Sequence, residues 1–255
     1  MDGSAGHPEH AERVRFAGLA FDQVEVAEAV DRIAARSPDL PFAYVSTLNA
    51  EFVWLRRVHP SVDDVIEQAW LSTLDSRILR RIASWAGLAI VFTPGAYIVR
   101  EMFLRGVIAR DDRLTVLGGN PRALAILAER FGMRGFQQHV PPMGFINQPQ
   151  AVQAAIDYVI ANPARFVFIA MGPPHSDMLA RMIAETGRAV GVGLCIGSSL
   201  DTLAGLTPPA PDWMERNGLV WLFRLAREPR RLWRRYLNRS LRGVGLALLE
   251  VLRRR

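Results

Sequence analysis

Short apolar runs that recur between amphipathic helical patterns constrain this chain more than any other feature. FAYVS (42–46), LAIVF (88–92), LTVL (114–117), FVFIA (166–170) and AVGVGL (189–194) have the length and the β-branched or aromatic content of strands buried on both faces. Helical patterns fill the intervals at 21–35, 63–71, 77–85, 121–131, 149–161 and 176–186, and Pro121 and Pro149 suit the first turn of a helix. Alternation at this spacing requires crossover connections. The expected fold class is therefore α/β, a mainly parallel sheet covered by helices on both faces.

The 255 residues, half of them apolar, are enough to bury a core without disulfides. Cys195 is the single cysteine and lies in an apolar stretch, so a core role in a reducing compartment is expected. Residues 1–20 are polar, lack a secretory core and read as a loose arm; residues 21–217 read as one α/β catalytic domain. No run approaches the roughly 20 apolar residues of a spanning helix. The expected location is cytoplasmic.

Parallel sheets bind ligands beyond the carboxyl ends of their strands, so the residues after each run are the ones to inspect. LTVLGGNP places Gly118 and Gly119 between a strand and a helix, where backbone amides can approach a diphosphate. AMGPPHSD places Gly172 and His175 at a second such junction, and GSSLDTLAG places Asp201 at a third. Each turn could equally serve helix–strand packing. Thr47 and Asn49 follow the first strand and could bind substrate or cap the next helix. Asp75 follows WLSTL and could be an N-cap or, facing the crevice, a general base. His139 and His175 flank proline-rich turns and could face ligand or serve the structure. The five histidines lack metal-binding spacing, and no metal or other cofactor is expected.

All 31 basic residues are arginine, and residues 224–255 hold 11 of them against two acids, a net charge of +9 that leaves −3 for the first 223 residues. Trp221, Leu222, Leu225, Leu232, Trp233, Tyr236 and Leu237 interleave with these arginines. Such a pattern suits a helix lying in an anionic membrane interface better than nucleic-acid binding or plain solubility. Residues 218–255 are thus expected to form an arginine-rich, amphipathic, membrane-associating helical appendage, broken near Pro229 and at 243–245.

In order along the chain, TLNAEF, VLGGNP, PPMGFI, AMGPP, SLDTLAG and above all APDWMERNGLVWLFRLAREPRRLWRRY (210–236) resemble the conserved blocks of the WecG/TagA/CpsF glycosyltransferases, glycosyltransferase family 26. The resemblance implies a Rossmann-like domain that transfers a sugar, with inversion and without metal, from a UDP-sugar to a polyprenyl-diphosphate-linked acceptor. By position it makes Asp75 the base, Thr47 and Asn49 polar active-site residues, and Asp201, Gly118, Gly119 and Gly172 neighbours of the nucleotide. Arg230, Arg231 and Arg234 match tail arginines that neutralise diphosphate charge. His175 lies in the block that departs from the family.

The family reads PxQE where this chain has Pro174–His175–Ser176–Asp177, DG at Asp75–Ser76 and RAP at 209–211. Two outcomes are open: a donor other than the family's usual N-acetylmannosamine type, or reduced activity. An active transferase in exopolysaccharide, capsule or envelope glycan assembly is expected, with the alternative of a catalytically weakened nucleotide-sugar-binding scaffold. Its partners would be the UDP-sugar, the lipid-linked acceptor, the anionic inner membrane surface and, as an open option, further copies of itself.

Overall fold

A computed structural model describes residues 13–254, except for the side chains of Arg231 and Arg254. Its first two strands, β1 (Arg13–Phe16) and β2 (Leu19–Asp22), pair antiparallel across a tight turn in which Ala17 and Gly18 have positive φ. Six further strands form one parallel sheet: β3 (Ala43–Leu48), β4 (Leu71–Leu74), β5 (Leu114–Gly118), β6 (Phe136–His139), β7 (Phe166–Ala170) and β8 (Val192–Cys195), in the order β4-β3-β8-β7-β5-β6.

The helices of the main body are α1 (Val26–Ala35), α2 (Ala50–Val58), α3 (Ser61–Glu67), α4 (Arg77–Trp85), α5 (Gly95–Leu104), α6 (Pro121–Phe131), α7 (Pro149–Ala161), α8 (His175–Glu185) and α9 (Ser199–Leu203). The C-terminal run holds α10 (Asp212–Arg216), α11 (Val220–Arg227), α12 (Pro229–Arg235) and α13 (Leu241–Arg254). A single π-helical segment, Tyr236–Ser240, joins the last two.

The inner strands β8, β7 and β5 are buried on both faces and are mostly apolar at consecutive positions. Phe166 and Phe168 of β7 enter one core with helices α1, α5 and α6, whereas Val167 and Ile169 enter another beneath α7 and α8. The third core lies beside them. It gathers Phe16 and Phe21 of the hairpin, residues of α2 and α4, and Ala247 and Val251 of α13.

Three expectations change at this level. The loose arm is expected to reach residue 20, but 13–22 form the hairpin, and residues 1–12 lie outside the described residues. Asp22 accepts the Ser72 N–H at 2.7 Å and Ser72 Oγ donates to the Ala20 carbonyl at 2.8 Å, so the hairpin is tied to the β4 edge. LAIVF is not a strand: beyond one bridge between Leu74 and Phe92, the Val91 N–H donates to the Gln23 side chain at 3.2 Å. Apolar content fits a buried connection as well as a strand.

Nor do the glycines at 243 and 245 break the tail. The chain leaves helical geometry at Glu228, before Pro229, but α13 runs through both glycines. Gly243 has a packing reason: a Cβ there would lie 1.8 Å from the Ala50 carbonyl oxygen, so α13 meets α2 backbone to backbone. A Cβ on Gly245 meets nothing within 4 Å. The two positions should therefore respond in opposite directions in urea unfolding. Gly243→Ala should lose about 1–3 kcal/mol by overpacking, and Gly245→Ala should gain about 0.5–1 kcal/mol as a helix-interior glycine is removed.

Candidate active site

The carboxyl ends of β3, β4, β7 and β8 open into a cavity of about 580 Å³ whose far wall is the C-terminal run. A second space of about 260 Å³ adjoins it over the ends of β5 and β7, and Met171, Gly197, Ser198, Arg224, Arg235 and Tyr236 line both. The two spaces form one continuous crevice.

Asp75 stands at the end of β4, its N–H donating to the Leu48 carbonyl at 2.7 Å. It is not the N-cap of α4. Ser76 takes that part, its hydroxyl accepting the Leu79 N–H at 3.2 Å, which leaves the Asp75 carboxylate for the cavity. Burial pushes Asp75 up to about 6, against the opposing pull of Arg224, Arg235 and the Gly95 N–H.

Thr47 and Asn49 line the same cavity. The Thr47 hydroxyl donates to the Cys195 carbonyl at 3.0 Å, and a Cβ on Gly95 would lie 3.0 Å from Thr47 Cγ2, so α5 begins directly against this side chain. Asn49 both lines the cavity and caps α2, with Oδ1 accepting the Glu51 N–H at 2.9 Å. The cap engages only Oδ1. Its amide group can still donate to a ligand.

Gly119, Gly172 and Asp201 line the smaller space. Gly118 shapes its wall from behind: both Gly118 and Gly119 have φ near +75°, and a Cβ on Gly118 would lie 2.7 Å from Met171 Cγ. Asn120 caps α6 through a 3.0 Å contact with the Arg122 N–H, and that helix presents its N-terminus beside the turn.

Other predicted residues fall elsewhere. His175 lines neither space; it meets Phe145 edge-on with ring centroids 6.3 Å apart, and burial, aided by Arg239 and His59, lowers its pKa. One step along α8 turns the side chain by about 100°. Ser176 and Asp177 accordingly face the cavity instead. Arg230 and Arg234 are exposed and line neither space, and the side chain of Arg231 lies outside the described residues. Among the described residues, the tail arginines that reach the crevice are Arg224 of α11 and Arg235 of α12.

Two acids escaped the sequence reading. Asp177 is 2% exposed and accepts from Ser46 Oγ at 2.5 Å and Ser176 Oγ at 2.9 Å; burial raises it to about 6, against these hydroxyls. Its signal was the altered PxQE block, where Asp177 occupies the place of the family's glutamate. Glu51, 1% exposed, accepts from Arg235 Nε at 2.6 Å and Arg239 at 3.1 Å, which ties α12 and the π-helical segment to α2. Its signal was an acid inside the otherwise apolar AEFVWL. Among the described residues no three His, Cys, Asp or Glu side chains come together in a way that could hold a metal ion, and no helix is long and apolar enough to cross a membrane.

A carboxylate of raised pKa facing two guanidinium groups, in a crevice that continues to glycine turns and a helix N-terminus, is equipped to take a proton while an anionic leaving group departs. The pattern of the Glycosyl transferase WecG/TagA/CpsF family matches residues 14–255. The chain belongs to the WecG/TagA/CpsF family and is a glycosyltransferase.

Proposed function

We propose that the crevice transfers a sugar, with inversion, from a UDP-sugar to a saccharide carried on polyprenyl diphosphate, in the assembly of a bacterial exopolysaccharide, capsule or envelope glycan. The observation that carries this reading is Asp75 on the cavity wall, beside Arg224 and Arg235. UDP lies over Gly119 and Gly172 with Asp201 at hand, and the acceptor enters from the side of Asp75. Asp75 takes the proton of the acceptor hydroxyl while that oxygen bonds to the anomeric carbon. The bond from that carbon to the diphosphate oxygen breaks, its electron pair leaves with UDP, and Arg224 and Arg235 offset the charge that develops.

The reading of a catalytically weakened scaffold finds less support. Asp177 keeps a carboxylate in the altered block, while Ser176, shorter than the glutamine of the family pattern, alters the polar lining of the cavity where the transferred sugar meets Asp75. A changed donor sugar fits this better than lost activity.

We place the enzyme at the inner face of the cytoplasmic membrane. Trp213, Leu222, Trp233, Leu237, Leu249 and Leu252 are all exposed and share the C-terminal run with Arg230, Arg234, Arg242 and Arg253.

Three outcomes test the proposal. UDP release with a lipid-diphosphate acceptor should fall about 10²–10⁴-fold in Asp75→Asn, with wild-type turnover excluding the base assignment. Because the carboxylate must be ionised to accept a proton, kcat/KM should decline as the pH drops through about 6, and a flat profile down to pH 5 would contradict this. Co-sedimentation with anionic vesicles should weaken in Trp233→Ala/Leu237→Ala and as salt rises; salt-independent binding would argue against the electrostatic part.

A further inference from the structure

A groove of about 220 Å³ separates α4 from α13 next to the catalytic cavity. Its walls are two facing apolar stripes. Ile78, Ile82 and Trp85 recur along α4 at i, i+4 and i+7, and Val244 and Leu248 lie one turn apart on α13. Trp85 is 53% exposed although it borders this apolar space, and the α13 stripe continues one turn further to Leu252, 66% exposed. Arg77 and Arg81, also one turn apart, edge the α4 side.

The groove is not isolated. Arg77, Ile78 and Val244 line both it and the cavity that holds Asp75, so one elongated molecule can occupy both. Arg77 is itself only loosely engaged, at 3.7 Å from Glu215 and stacked over Phe92. Hydrocarbon walls leading to a cationic junction match a ligand with an apolar chain on one side and a phosphate on the other.

We infer that the groove between α4 and α13 seats the first isoprenoid units of a polyprenyl diphosphate, with Arg77 and Arg81 beside its phosphates and the reacting saccharide held at Asp75. The inference rests on the transfer reading above for the identity of the chain. It adds a subsite that selects the lipid. Trp85 and Leu252, exposed beyond the groove, mark where the rest of the chain passes into the bilayer.

Calorimetric titration of the full chain with farnesyl diphosphate, kept below its micelle-forming concentration, tests this without requiring turnover. Farnesyl diphosphate should bind at least about tenfold tighter than inorganic diphosphate. Leu248→Trp, which fills the groove, should abolish that advantage and leave inorganic diphosphate unaffected, and Trp85→Ala, at an exposed position that tolerates truncation, should reduce it severalfold. Equal affinity for the two ligands in the wild type, or an undiminished advantage in both variants, overturns the inference. Preserved farnesyl selectivity without UDP release from any UDP-sugar would instead overturn the transfer reading and leave the groove assigned.

Discussion

The buried carboxylate of Glu51 is the contact on which the active-site wall depends. An ionised acid out of water is costly by several kcal/mol unless fully paired, and Arg235 and Arg239 supply that pairing from 184 and 188 residues further along the chain. Docking of the C-terminal run and satisfaction of Glu51 are therefore one event. Arg235 takes part in both, because the side chain that neutralises Glu51 also lines the crevice beside Asp75. Glu51 thus acts on the site through Arg235. The backbone contact of Gly243 with Ala50 fixes α13 to the same helix, α2, a little further along.

Around this contact the chain divides its tasks. The sheet, its inner strands buried on both faces, holds the strand ends in register, and the site sits where β3, β4, β7 and β8 all terminate. Neighbouring residues take separate work at each terminus. Ser76 caps α4 while Asp75 faces the cavity, and Asn49 caps α2 with one atom while its amide group stays available. At the third motif Ser46 and Ser176 hold Asp177 through hydroxyl contacts from two elements, which fixes a carboxylate that would otherwise be poorly satisfied.

Much of this was legible in sequence wherever local pattern and tertiary role agreed. Arg77–Trp85, Pro121–Phe131 and Pro149–Ala161 are helices with the expected bounds, because capping or first-turn residues and apolar spacing coincide there. β4 was hidden because Ser72 and Thr73 are polar yet buried, and the partners of Ser72 are hairpin residues about 50 positions away. β6, with the sequence FQQH, is a half-buried edge strand without the apolar run of its neighbours. Thr47, Asn49 and Asp75 converge as expected, since strand ends in a parallel sheet must converge. Arg230 and Arg234 of the tail do not join them. The break at Glu228 resets the helical phase ahead of α12, and it is the contact of Arg235 with Glu51 of α2 that fixes which face of α12 turns inward.

The setting of Asp75 in a cavity shared with Arg224 and Arg235 bears on how the enzyme senses its surroundings. The chain has no lysine, so the positive charge lining the crevice is carried by guanidinium groups. The positive field over the crevice is therefore one that side-chain amine acylation cannot erase. The carboxylates of Asp75 and Asp177, both raised by burial, titrate within it, so acidity acts on the crevice through the acids.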